Sequence, residues 1–314
     1  MTYKKRLIIL LSLIGAMVLA YSLSVIFSYE RSSARSSSYV WLDPKSAEKA
    51  GRILIDNTNE KFELIKKENK WFVNYYGNEF PARSLRVEDF LSFFTKRAQW
   101  PVRSASASAH KRFGLDDNAA RITIYGEYSV VLDVLLGDYD NTGSDAYFRK
   151  VGQNEVRSGD SSVYSYITGT LTGWYNLRLI PGSADGSVDS SSVQRVTVYN
   201  EEETQTFTRK GRAWEISGIT VENPDVSAVE NYVSFIINAE GEDFADSNLT
   251  SGYNFDNSRI VIEFGDAGVT TIRISGPDEF DKRYAKVGGG GLTYVIPLWV
   301  TARLFRDSSS FELQ

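Results

Sequence analysis

Apolar and polar positions alternate over short runs along most of this chain, and the alternation comes round twice. Arg52-Ile53-Leu54-Ile55 leads to Phe62 and then Trp71-Phe72-Val73; Arg195-Val196-Thr197-Val198 leads to Phe207 and then Trp214-Glu215-Ile216. A period of two marks half-buried strands, and turn residues such as Glu68-Asn69 join them into hairpins. Twice the spacing changes to that of a helix. Val87, Phe90, Leu91, Phe94 and Ala98 predict a helix capped by Ser84 and stopped by Pro101. Val226, Val229, Val233, Ile236 and Ile237 predict another, starting after Asn223 with Pro224 at its first position. Further strands are predicted at 121–125, 130–136, 146–151 and 162–166, and again at 260–264, 270–275, 283–287 and 293–296. Each copy closes on a Trp-x-x-x-Arg-Leu run, at 174–179 and 299–304.

A repeat of this length is domain-sized, so the pattern reads as a tandem duplication and not a solenoid. The expected class is α+β: a single N-terminal transmembrane helix, then two duplicated domains, each a mostly antiparallel sheet with one main covering helix. The expected boundaries are a basic tip and anchor at 1–27 and a flexible Ser/Arg-rich tether at 28–38. A first domain at 39–182, a linker at 183–192 and a second domain at 193–314 follow.

The anchor reading rests on the run from Leu7 to Phe27, led by Lys4-Lys5-Arg6 and uninterrupted by charge. At about 1.5 Å per residue its length matches a bilayer core of about 30 Å. Leu7, Leu10, Leu11, Leu13, Ile14, Val18, Leu19, Leu23, Val25, Ile26 and Phe27 are the expected membrane-anchor residues. Cleavage after Ala20 is the rival, and it would leave Leu23 to Phe27 exposed on a mature N-terminus. The basic tip places the N-terminus in the cytoplasm and the rest outside it, on a single-pass protein of the inner membrane.

Charge agrees with that division. Residues 1–35 carry a net +4, so with −5 for the whole chain the remainder carries −9. An acidic ectodomain disfavours nucleic acid as a partner. The absence of cysteine removes disulfides, thiolate metal sites and a thiol nucleophile. One histidine, His110, is too few for a paired-histidine metal site, and no nucleophile-elbow pattern accompanies it. Asp138-Tyr139-Asp140-Asn141-Thr142-Gly143 starts like a calcium loop but reaches Arg149 where a bidentate glutamate is needed, so a polar hairpin is expected. Gly288–Gly291 lies between two strands with no helix behind it, again a hairpin turn. No cofactor, metal or catalytic residue is expected. The candidate partner contacts are Trp174, Arg178, Trp299 and Arg303, since tryptophan and arginine are enriched where interfaces carry their energy; burial under the sheet is the competing reading.

With these residues in view, the chain resembles the bacterial domain-of-unknown-function family 4340, in two tandem copies. The likeness is carried by Phe62 with Trp71, the helix 87–98, Phe113-Gly114-Leu115, Leu135-Leu136-Gly137, Tyr147-Phe148-Arg149 and Trp174-Tyr175-Asn176-Leu177-Arg178-Leu179. The second copy fits more loosely, through Tyr253-Asn254-Phe255 and Ile274-Ser275-Gly276. The resemblance implies an N-terminally anchored, extracytoplasmic protein associated with ABC-2 type permeases and gliding-motility-like auxiliary systems. The expected function is therefore a non-catalytic accessory subunit of an ABC-type, export-like transport complex. Its partners would be the bilayer and a permease or membrane-anchored auxiliary subunit. A cell-envelope module binding glycan or peptide is the alternative.

Overall fold

The structure is a computed structural model that describes residues 13–24, 38–57, 59–200, 203–245, 250, 252–265 and 268–313. The chain divides into two compact units, Met1–Gly173 and Trp174–Gln314. Residues 174–182, read from the sequence as the end of the first domain, thus fall with the second.

In the first unit a helix α1 (13–24) comes before β1 (Ser38–Tyr39) and α2 (Pro44–Glu48). Four strands follow, β2 (Arg52–Asp56), β3 (Lys61–Lys67), β4 (Lys70–Tyr75) and β5 (Asn78–Pro81). Helix α3 (Ser84–Thr95) leads to β6 (Ala98–Gln99) and β7 (Val102–Ser104). Strands β8 (Ala120–Tyr125), β9 (Val130–Tyr139), β10 (Asp145–Lys150), β11 (Val156–Asp160) and the short helix α4 (Tyr164–Ile167) complete the unit. The main sheet runs β5-β4-β3-β2-β8-β9-β10-β11-β7, and β1 pairs separately with β6.

The second unit has β12 (Val193–Tyr199), β13 (Thr204–Lys210), β14 (Ala213–Ser217), α5 (Val226–Asn238) and β15 (Asp243–Ala245). It continues with β16 (Ser258–Phe264), β17 (Gly268–Ile274), β18 (Arg283–Val287), β19 (Thr293–Ile296) and α6 (Leu298–Leu304). Its sheet runs β14-β13-β12-β16-β17-β18-β19-β15. Without β5, the first sheet has the same order. The strand pairs of both are antiparallel, so the α+β class with mostly antiparallel sheets holds.

Local chemistry accounts for the elements. Ile53 and Ile55 on β2 are fully buried, and their register partners Leu64 and Phe62 are buried beside them. Glu68 and Asn69 both take positive φ, as a two-residue hairpin turn requires. On α3, Val87, Phe90, Leu91 and Phe94 form the buried stripe, and burying each phenylalanine contributes about 1.5–3 kcal/mol. Ser84 is the first helical residue and not the cap, and the helix ends at Thr95. Ala98 is withdrawn from it because it pairs with Tyr39 in the β1–β6 ribbon. In α5 the cap is Asp225, whose carboxylate accepts from the Ser227 amide at 2.8 Å. Pro224 lies outside the helix, bridged to Glu312.

The Trp-x-x-x-Arg-Leu run at 174–179 takes a different place from the one expected. Arg178 bridges to Glu240, Leu179 donates to the Ala239 carbonyl and Gly241 donates to that of Leu177, each at 2.9 Å. This is the pairing that β1 makes with β6, so the run opens the second unit and does not close the first. The run at 299–304 lies in α6. The aromatic pair of the repeat is also displaced: Phe207 faces Val196 as Leu64 faces Ile53, while Phe62 corresponds to Gln205.

Of the expected anchor residues, Leu13, Ile14, Val18, Leu19 and Leu23 lie on α1 with their side chains exposed. Leu7, Leu10, Leu11, Val25, Ile26 and Phe27 lie outside the described residues, as do tether residues 28–37. No helix among the described residues is long and apolar enough to cross a membrane.

Candidate protein-interaction face

Helix α5 has two faces. Val229, Tyr232, Val233, Ile236 and Ile237 are buried, whereas Asn231, Ser234, Phe235 and Asn238 line an open groove of about 590 Å³. Phe235 is the large apolar residue in a groove whose α5 side is otherwise polar apart from Ala228. The far wall comes from α6 and the residues after it, through Arg303 and Arg306.

Helix α6 is anchored by Val300, Thr301 and Leu304, all buried. Tyr232 ties it to α5 by donating to the Leu304 carbonyl at 2.5 Å. Burial holds the Tyr232 hydroxyl well above the usual tyrosine range, opposed by Arg306, so it stays a donor. With that side fixed, Leu298 and Trp299 project outward at 65% and 60% exposure. The Trp299 ring lies 6.3 Å from Phe235, and the Arg303 guanidinium carbon stands 4.4 Å over the same ring. Neither Arg303 nor Arg306 has an ion-pair partner among the described residues. A guanidinium stacked on a ring keeps its N–H edges for a planar acceptor, above all a carboxylate.

Two of the four expected contacts therefore sit together on this face and two do not. Trp174 is 1% exposed, buried and closed to a partner. Arg178 holds the C-terminus of α5: its Nε is 2.8 Å from Glu240 and its fork reaches the Asn238 carbonyl and side-chain oxygen. A cation there meets the negative end of the helix dipole and its unsatisfied carbonyls. Phe235 and Arg306 were missed. Phe235 carried a signal, an aromatic residue off the buried stripe; Arg306 carried none.

The other motifs take structural roles. His110 ends against the Asn154 carbonyl at 3.1 Å. Asp140 accepts from Thr142 and from the Asp145 amide within its hairpin. Among the described residues no group of three or more His, Cys, Asp or Glu side chains is placed to hold a metal.

The family model described as "Domain of unknown function (DUF4340)" matches residues 71–257, more than half of the chain. The chain belongs to the DUF4340 family. In this DUF4340 protein the match starts at the buried Trp71 of β4 and runs across the division between the units to Asn257. No curated protein matches the chain, and no solved structure does.

Proposed function

We propose that this DUF4340 protein is a membrane-anchored, extracytoplasmic interaction subunit of an ABC-type, export-like transport complex, acting through contacts and without catalysis. The observation that carries the reading is α1. Its Leu13, Met17, Val18 and Leu19 are all about 60% exposed or more, on a helix that the rest of the unit does not cover. Water does not tolerate such a surface, and a bilayer or the spanning helices of a partner do. The sequence stays apolar from Leu7 to Phe27 with a basic tip before it, which favours insertion with the N-terminus inside. The shared strand order of the two units supports a duplication.

Contact with the transporter is assigned to the face made by Trp299, Phe235 and Arg303, which offers an aromatic anchor beside unpaired guanidinium groups. Trp299 alone favours the second reading, a glycan- or peptide-binding envelope module. Copurification separates the two. Full-length chain solubilised in mild detergent should recover an ABC-type permease or its auxiliary subunit, and the double variant Trp299→Ala, Arg303→Ala should recover several-fold less at unchanged melting temperature. Recovery of neither by the unaltered chain would refute the transport reading.

A further inference from the structure

The two sheets share their strand order but finish differently at one edge. In the first unit the chain turns after β4 through Tyr76 and Gly77, both at positive φ, and lays β5 along the outside. There Phe80 faces Val73 and Pro81 faces Phe72. In the second unit β14 holds the place of β4. Trp214 and Ile216 face Arg209 and Phe207 as Trp71 and Val73 face Lys66 and Leu64. Among the described residues no strand lies outside β14, which pairs with β13 alone. Gly218 stands where the two paths part. Its φ is +89°, and an added Cβ would stand 2.0 Å from the Thr204 carbonyl, so here the chain stays against β13 where the first unit turns outward.

The missing strand leaves marks on β14. Val73 is fully buried, whereas its counterpart Ile216 is only half-buried. Residues flanking a two-residue hairpin exchange hydrogen bonds, and the pattern then alternates. Lys210 and Ala213 flank Gly211-Arg212, so Ala213, Glu215 and Ser217 bond to β13 while Trp214 and Ile216 present their backbone groups outward. The strand carries no proline and one charge, Glu215, to blunt that edge. Glu215 is held only by an exposed 3.6 Å pair with Lys210, a weak restraint.

We propose that the outer edge of β14 is a docking site for an extended segment of a partner polypeptide. The segment adds antiparallel, as β5 does on β4, with an apolar residue facing Ile216 and a basic residue facing Glu215. Main-chain hydrogen bonds supply the affinity and these two positions the selectivity. A second copy of this chain does not fit: the fullest antiparallel register of β14 on itself sets Glu215 against Glu215, and like charges directly opposite are destabilising.

The test uses the full-length chain in detergent and a synthetic peptide copying residues 77–83 with Pro81→Lys, which puts a lysine opposite Glu215 in the register of β5. It involves no transporter, so it fails separately from the reading above. Millimolar peptide should slow amide exchange at Trp214 and Ile216 and leave Trp71 and Val73, already covered by β5, unchanged. Glu215→Lys should weaken this peptide about twofold to fivefold, and a peptide with Pro81→Glu should recover the loss. No slowing at Ile216, equal slowing by both peptides on both chains, or self-association of the chain through β14 would each overturn the proposal.

Discussion

Trp174 and Trp299 carry the same side chain into opposite surroundings. Trp174 is buried at 1% exposure and Trp299 stands 60% exposed above Phe235. Trp174→Ala should therefore cost about 3–5 kcal/mol in a urea unfolding curve, whereas Trp299→Ala should cost under about 1 kcal/mol. The shared Trp-x-x-x-Arg-Leu spelling hid this difference, because sequence spacing is blind to whether Arg178 lies in a bridge or Arg303 on a helix. A second residue gives a pH signature. Burial, aided by Tyr139 and Asp138, pushes Tyr164 up to about 12, and its hydroxyl donates to the Gly137 carbonyl. The unfolded chain gives up that proton near 10.0. The contribution is thus whole below about pH 10 and is lost as pH rises from there through about 12. Unfolding midpoints should fall across that window, and Tyr164→Phe should flatten the fall.

At the scale of elements, most strands and both long helices were legible, because Ile53 and Ile55, or Val229 with Val233, repeat at the period of the structure they form. The strand expected at 162–166 is instead a turn leading into the short helix α4, and the sheet takes β11 at 156–160 in its place. What was not legible was register and termination. Phe62 and Phe207 look alike in sequence yet stand two residues apart on equivalent strands. The end of α3 is set by a partner far away in the chain, since Ala98 leaves the helix for Tyr39. The start of α5 was misplaced because Pro224 suits a first turn, while the bond that defines the cap belongs to Asp225. Asp225→Ala should accordingly cost about 1 kcal/mol, and Asp225→Asn far less, by thermal unfolding. Gly218→Ala is the sharper case. A left-handed φ and a carbonyl 2.0 Å from the added Cβ forbid the wild-type path, so the variant should unfold at a markedly lower urea concentration than Gly211→Ala, whose Cβ meets open space.

For the whole molecule, the sequence showed two similar halves, and the structure has two units with one strand order. It placed their division late because the turn-rich linker at 183–192 looks like a boundary, whereas the pairing of 177–179 with 239–241 puts the residues before that linker in the second unit. The candidate face was half legible: Trp299 and Arg303 were singled out, but Phe235 joins them only when α5 and α6 pack. The account's central claim is an ectodomain held outside the membrane that meets its partner through this face. The chain has no cysteine, so a single Ala302→Cys substitution on the exposed side of α6 gives one unambiguous label site. Intact spheroplasts treated with a membrane-impermeant maleimide should label this cysteine, and coexpression of the permease complex should cut labelling several-fold. Labelling that requires lysis, or that is indifferent to the complex, would contradict the account.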